Sequence, residues 1–123
     1  MRKIIIITLL SALGLSALAL GGCGGSNSSS ATQQKGKGTV IHVTVHGDTV
    51  TPNGERVKAK LGAPITIKVD ADRKGELHVH STPEHELAYG VGKTTLHVRV
   101  KNPGIIDIED HKADVVVVQL EVS

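Results

Sequence analysis

Residues 76–86, ELHVHSTPEHE, decide how the fold and the chemistry of this sequence are interpreted. Two apolar residues alternate here with His78 and His80, which is the period of a half-buried strand whose outer face carries the imidazoles. The Pro-containing segment that follows predicts a loop over residues 81–86, in which His85 stands between two glutamates. The stretch therefore presents three histidines either as metal ligands or as the polar end of a strand.

The alternation of apolar and polar residues recurs along the rest of the chain. Tyr89 is the single aromatic residue among the Phe, Trp and Tyr positions, so Val, Ile and Leu must fill the core. A regular series of seven to eight short strands without helical periodicity predicts an all-β sandwich or barrel. Residues 115–118 are apolar on both faces, which is typical of a central strand. The strands are predicted at residues 40–46, 56–60, 65–70, 77–80, 94–101, 105–109 and 115–122.

The N-terminus has the pattern of an export signal. Arg2 and Lys3 precede an apolar run over residues 4–20 that ends in small residues, as in a secretory signal peptide. Residues 20–23 resemble the lipobox of bacterial lipoproteins and end in Cys23, the single cysteine of the chain. The resemblance implies lipidation of Cys23 and a protein anchored to the cell membrane on its extracytoplasmic face. An uncleaved transmembrane anchor is the alternative, because the apolar run approaches the length that spans a bilayer.

These features divide the chain into a lipoprotein signal peptide (1–22), a lipidated cysteine with a flexible Gly/Ser linker (23–38) and a folded domain (39–123). The formal charge of +2 falls to about zero once the basic residues of the signal are removed. A near-neutral chain without a basic stripe argues against binding of nucleic acid. With Cys23 acylated, no thiol remains for disulfides, metal binding or nucleophilic catalysis.

A set of turn and strand residues in the folded part matches a known pattern. The set consists of Pro52-Asn53-Gly54, Val57-Lys58, Gly62, residues 65–69, the ELHVH stretch, Gly92, Pro103-Gly104 and the terminal apolar strand. It resembles the cupredoxin-like fold, and ELHVH is similar to a branch of exported bacterial cupredoxin-like domains. The resemblance covers residues 39–123 and implies a Greek-key β-sandwich with a metal site at one pole.

Copper-binding members of that family use one mid-chain His, and then a Cys, a His and usually a Met near the last hairpin. In this sequence the mid-chain position matches His80, or His78 if the register differs by two residues. The Cys position falls near Asp110, His111 matches the second His, and no Met follows. Because the thiolate and the thioether are both missing, the comparison excludes a blue-copper electron carrier.

The resemblance leaves a site of histidines and carboxylates as the leading hypothesis. Its main ligands are His80 and His111, and His78, His85 and Asp110 assist them. Imidazole and carboxylate groups suit Cu(II) or Zn(II), whereas Cu(I) prefers sulfur. The competing interpretation is that the paired histidines simply face solvent, as histidines on the other predicted strands do.

Two functions follow from these alternatives. The leading one is a membrane-anchored, extracytoplasmic protein that binds copper or another divalent metal and does not carry electrons. The other is a metal-free β-sandwich that acts as an interaction or structural module at the cell envelope, with a protein partner that the sequence does not identify. No enzymatic function is predicted, because no nucleophilic triad pattern occurs and residues 90–94 lack the first Gly of a phosphate-binding loop.

Overall fold

The computed structural model describes residues 32–35 and 38–123, so the predicted signal peptide and Cys23 lie outside the described residues. The regular structure of the described residues consists of strands alone. No helix in this part of the chain is long and apolar enough to cross a bilayer. The strands are β1 (Thr32–Lys35), β2 (Gly38–His46), β3 (Thr49–Thr51), β4 (Glu55–Ala59), β5 (Ile65–Ala71), β6 (Gly75–Val79), β7 (His85–Tyr89), β8 (Gly92–Val98), β9 (Gly104–Asp110) and β10 (Val115–Val122).

The first sheet is built around β2 and β5. Its strand order is β1-β2-β5-β8, and β3 also pairs with β2. β2 and β5 are parallel, with Val43 opposite Val69, whereas the other pairs in this sheet are antiparallel. The alternation seen in the sequence of β2 buries Ile41 and Val43 and leaves His42 on the solvent face.

The second sheet has the order β4-β10-β9-β6-β7 and carries most of the polar residues of interest. β10 is parallel to β4 and antiparallel to β9, so the predicted central position of the last strand is confirmed. A register shift between Val116 and Val118 lets Val117 and Val118 both lie at 0% exposure. A bulge of this kind adds one residue to a strand and explains why the run is apolar at consecutive positions.

The inner faces of the two sheets form one aliphatic core. Full burial of a Val, Leu or Ile side chain contributes roughly 1.5–3 kcal/mol, so many such residues compensate for the scarcity of aromatic side chains. The all-β sandwich predicted from strand spacing is confirmed. The largest fully buried side chains are Ile41, Ile65, Ile67, Leu77, Ile108, Leu120, Val43, Val45, Val57, Val69, Val79 and Val100.

Three strands differ from the sequence-based expectation. β3 has only three residues, too few to show a period of two. β7 occupies a stretch whose beginning was predicted to be loop, because its inward residues Leu87 and Tyr89 are too few to give a clear alternation. β1 lies in the predicted linker and pairs along β2 from Gly38 to Ile41. This strand forms through backbone hydrogen bonds to β2, which the composition of the segment does not predict.

Candidate metal centre

The outer face of β6 carries the first two histidines of the site. Leu77 and Val79 are fully buried, so the intervening His78 points to the opposite side of the sheet. β9 fixes the position of this face, because His78 lies directly opposite Glu109 in the antiparallel pairing. His80 follows the last residue of β6, and its backbone N–H donates to the carbonyl of Asp107 at 2.9 Å. The β6–β9 pairing therefore extends past the end of the strand and holds both histidines on one surface.

His111 completes the cluster from the turn that joins β9 to β10. Its Nε2 lies 2.9 Å from Nδ1 of His78, a distance at which the two rings share one hydrogen bond. The His78 ring stacks on His80 with a centroid separation of 4.3 Å, and the His80 and His111 centroids are 6.4 Å apart. One nitrogen from each of the three rings lies within 4.8 Å of the other two. His78 is thus the middle member of the set.

The cluster is open to solvent on one side. The side chain of His78 is 13% exposed, that of His80 is 38% exposed, and His111 is exposed as well. A dissolved ion could reach the three imidazoles without any rearrangement of the core. The location also keeps the rings apart from the buried aliphatic side chains Leu77 and Val79.

Two glutamates contact the rings from outside the cluster. An oxygen of Glu84 lies 3.1 Å from Nε2 of His78, and an oxygen of Glu109 lies 2.9 Å from Nε2 of His80. Glu84 belongs to the β6–β7 loop and its side chain is 62% exposed, whereas Glu109 stands on β9 and is 24% exposed. Each carboxylate therefore contacts the Nε2 atom of its own histidine.

Asp110 takes a different place, on the inner side of the sheet. It is 0% exposed and accepts hydrogen bonds from Nη2 of Arg73 at 3.0 Å, from the backbone N–H of Ala113 at 2.9 Å and from the hydroxyl of Tyr89. Burial alone would raise the pKa of Asp110, but these hydrogen bonds and the guanidinium charge lower it below its ordinary value. Burial and the contact with Asp110 raise the pKa of Tyr89 to about 12. The hydrogen bonds of Asp110 to Arg73, Tyr89 and Ala113 hold the start of the β9–β10 turn in place. They therefore support the position of His111, the next residue in the chain.

The structure brings together some of the predicted site residues and separates others. His78, His80 and His111 meet, although the sequence predicts only an assisting role for His78. His85 lies opposite Val79 in the β6–β7 pairing and faces the inner side, where it lines a cleft at the sandwich edge. The sequence predicts that His85 and Asp110 assist as ligands. In the structure both side chains point away from the outer face of β6, so neither lies beside the three clustered histidines.

Sequence reasoning missed the partners of the buried aspartate. Arg73 stands in the polar turn between β5 and β6, where the composition gives no sign of a buried charge, and its side chain is 11% exposed. The available signal was Tyr89, a lone aromatic residue with a polar end in an aliphatic chain. Neither the spacing in sequence nor the alternation indicates that these two residues converge on the β9–β10 turn.

Solved structures with the same architecture were found at low sequence identity. A copper-binding protein determined in its apo form is 19% identical over 75% of this chain and 94% of its own, with a TM-score of 0.56. An amicyanin variant with Cu(I) is 10% identical over 68% of this chain and 82% of its own, with a TM-score of 0.51. A multi-copper oxidase from Pediococcus acidilactici is 12% identical over 74% of this chain and 27% of its own, with a TM-score of 0.50.

Comparison by sequence gave no match to a protein-family model or to a curated protein. The identities to the solved structures are low, so the likeness concerns the fold. The chain has two mixed sheets with an aliphatic core between them. The solved structures of copper proteins described above share this arrangement. The chain has an all-β, cupredoxin-like β-sandwich fold.

Proposed function

We propose that this protein binds a divalent metal ion, with Cu(II) as the preferred ion, through His78, His80 and His111. The observation that carries the proposal is the convergence of three ring nitrogens within 4.8 Å on a solvent-open surface. The three solved structures described above are of copper proteins with this fold, which supports copper as the first ion to test.

The donor set supports Cu(II) over Cu(I). The ligands are imidazoles, and the single methionine of the chain is Met1, so no thioether lies in the folded domain. The separation of 2.9 Å between Nδ1 of His78 and Nε2 of His111 is that of a hydrogen bond between the rings, and an ion that binds both nitrogens would replace this hydrogen bond. Cu(II) is preferred over Zn(II) because its complexes with nitrogen ligands are generally the more stable.

The role we propose is handling of the ion and not electron transfer or catalysis. A blue-copper centre needs a thiolate, and the cluster has none. When bound, the ion would supply Lewis acidity, and the groups beside the rings are the carboxylates of Glu84 and Glu109, which are hydrogen-bonded to the imidazoles. The exposure of His80 and His111 suits an ion that is taken up from solution and released again.

The place of action that we propose is the extracytoplasmic face of the cell membrane. The support comes from the sequence, where the apolar run over residues 4–20 leads to Cys23 and to a linker rich in Gly and Ser. Two or more acyl chains on Cys23 would give stable attachment, whereas one chain binds membranes only marginally. An envelope protein that exchanges metal with the cluster would be its partner.

A metal-free interaction module is the second candidate. The observation in its favour is that both nitrogens of His78 and one nitrogen of His80 already have hydrogen-bond partners within the protein. Polar groups satisfied in this way need no ion to be stable. On this alternative, the cupredoxin-like fold is kept and the outer face serves contacts with another protein.

Calorimetric titration with Cu(II) and Zn(II) distinguishes the two candidates. The protein would be produced from residue 23 onward with Cys23→Ser, which removes the one thiol that could bind copper. We expect a 1:1 complex with a Kd of about 1 μM or tighter, that is, about 8 kcal/mol of binding free energy. His80→Ala combined with His111→Ala should abolish it, while His42→Ala, on the outer face of the other sheet, should leave it unchanged. Binding weaker than this, or binding unaffected by the double substitution, would refute the proposal.

A further inference from the structure

The two carboxylates beside the cluster contact the same atom of their respective rings. Glu84 lies 3.1 Å from Nε2 of His78, and Glu109 lies 2.9 Å from Nε2 of His80. They come from different segments, one from the β6–β7 loop and one from β9. Each contact orients one ring: Glu84 fixes the orientation of the His78 ring, and Glu109 fixes that of the His80 ring.

The chemistry of imidazole gives this contact a direct consequence. A neutral histidine has one N–H group and one nitrogen lone pair, and an ionised carboxylate can only accept a hydrogen bond. Nε2 must then carry the proton in His78 and His80, and Nδ1 must carry the lone pair. In His78, Nδ1 faces Nε2 of His111 at 2.9 Å, so His111 is the donor of that hydrogen bond. One assignment of protons satisfies all three contacts.

We propose that Glu84 and Glu109 are positioning residues that select the metal-binding nitrogen of their histidines. By holding Nε2–H, they direct Nδ1 of His78 and Nδ1 of His80 toward the ion. Nε2 of His111 becomes the third ligand once its proton moves to Nδ1 of the same ring, which breaks its hydrogen bond to His78. The inference rests on the proposed metal-binding function and specifies which atoms perform it. Carboxylates that accept the second ring N–H of a ligand orient the ring and increase its basicity.

Two neighbouring glutamates provide a matched comparison. Glu86 lies directly opposite His78 in the β6–β7 pairing, and Glu76 precedes His78 by two residues on the same strand face. They bring the same charge to the same surface, but no hydrogen bond to a cluster ring is found for either among residues 32–35 and 38–123. Replacing this pair lowers the negative charge by the same amount without removing a contact to a ring nitrogen.

The first experiment measures the tautomers of the metal-free protein. Long-range ¹H–¹⁵N correlation spectra of the Cys23→Ser chain should show His78 and His80 with the proton on Nε2. Glu84→Ala and Glu109→Ala should each change the tautomer ratio of the histidine they contact. Glu84→Gln and Glu109→Gln should change it less, because a Gln oxygen still accepts the hydrogen bond although its NH₂ group can also donate to an unprotonated Nε2. Protonation on Nδ1 in the unsubstituted protein would overturn the inference whether or not the protein binds a metal.

The second experiment measures affinity and the bound nitrogen. The Glu84→Ala/Glu109→Ala pair should weaken binding of Cu(II) about 10- to 100-fold, the usual effect of removing such outer contacts. The Glu76→Ala/Glu86→Ala pair should weaken it less than about threefold, since these two charges act on the ion only at longer range through screening solvent. In the Zn(II) form, the ¹⁵N signals that move should be Nδ1 of His78 and His80. Equal losses for both pairs, or Zn(II)-dependent shifts at Nε2 of these residues, would overturn the inference. Absence of any metal binding would refute the proposed function instead.

Discussion

Replacing Asp110 by Asn should destabilise the domain strongly, although the carboxylate of Asp110 makes no hydrogen bond to the ring of His78, His80 or His111 among the described residues. The carboxylate is 0% exposed and accepts hydrogen bonds from Arg73, Tyr89 and the backbone of Ala113. An asparagine keeps one acceptor but places an NH₂ group where a second acceptor was, facing a donor. The guanidinium of Arg73, which is 11% exposed, would also lose its counter-ion.

The magnitude follows from these contacts. Removing one partner of a buried ion pair costs about 3–5 kcal/mol, because the remaining charge stays desolvated. Arg73 keeps a second contact, from Nε to the carbonyl of Gly47 at 2.7 Å, and reaches solvent in part, so the lower end of that range applies. We expect a loss of about 3 kcal/mol in the free energy of unfolding. In a domain of this size, such a loss lowers the thermal midpoint by roughly 12–24 °C.

Urea denaturation followed by circular dichroism measures this loss directly. Asp70→Asn is the matched control, since Asp70 is an exposed aspartate on β5 and its replacement should change stability by less than about 0.5 kcal/mol. A loss below about 1 kcal/mol for Asp110→Asn would show that the guanidinium finds solvent easily and that the group does not support the turn. A smaller dependence of the unfolding free energy on urea concentration would instead indicate that the folded or the unfolded state has changed in compactness.

The pH dependence gives an independent test of the same group. The folded-state pKa of Asp110 is lower than its ordinary value, so the stabilisation is present above pH about 4 and is lost as the pH falls through the folded pKa. The difference in stability between the unsubstituted protein and Asp110→Asn should therefore be largest near neutral pH. It should shrink as the pH falls below about 4, because Asp110 of the unfolded chain then binds a proton that the folded protein takes up only at a lower pH.

Three further predictions concern neighbouring groups. The raised pKa of Tyr89, about 12, means that its stabilisation is present below pH about 10 and is lost between pH about 10 and 12; Tyr89→Phe should flatten alkaline denaturation over that window. Gly75→Ala should destabilise the domain in urea denaturation, since the new Cβ would lie 2.6 Å from Nη1 of Arg73, whereas Gly90→Ala meets nothing within 4 Å and should not. Cu(II) at 100 times its Kd should add about 2.7 kcal/mol of stability and raise the thermal midpoint by roughly 10–20 °C, and an unchanged midpoint in calorimetric scans would favour the metal-free module.

The sequence predicted what depends on local pattern and missed what depends on long-range convergence. The period of two in β2, β5 and β6 assigned inner and outer residues correctly, because a strand has no other way to bury Leu77 and Val79. The position of His111 followed from the resemblance, but its contact with His78 depends on the β6–β9 register, which no local pattern encodes. The Arg73–Tyr89–Asp110 group joins three separate segments, and apart from the lone aromatic Tyr89 nothing in the local sequence marks its members as buried.

The register of β6 and β9 also determines on which face of the sheet the side chain at position 110 lies. Residues directly opposite in an antiparallel pair point to the same side of the sheet, and Asp110 lies opposite Leu77, which is 0% exposed. Asp110 occupies the position at which the cupredoxin resemblance places the thiolate ligand, yet its side chain lies on the inner side and the cluster histidines lie on the outer side. At the position where the resemblance expects a cysteine, the residue type and the face of the sheet therefore both differ from what that resemblance implies.

This geometry predicts that Asp110→Cys will not create a blue-copper centre. We expect the variant to bind Cu(II) through the outer histidines with the weak absorption of nitrogen ligands, and without the intense thiolate-to-copper band. Absorption and electron paramagnetic resonance spectra of the Cu(II) form measure this, with Asp110→Ser as the matched variant that lacks sulfur. Circular dichroism must show that both variants remain folded, since each removes the counter-ion of Arg73. An intense blue band in Asp110→Cys alone would mean that the β9–β10 turn can rotate residue 110 toward the histidines, and it would contradict the assignment of the two faces.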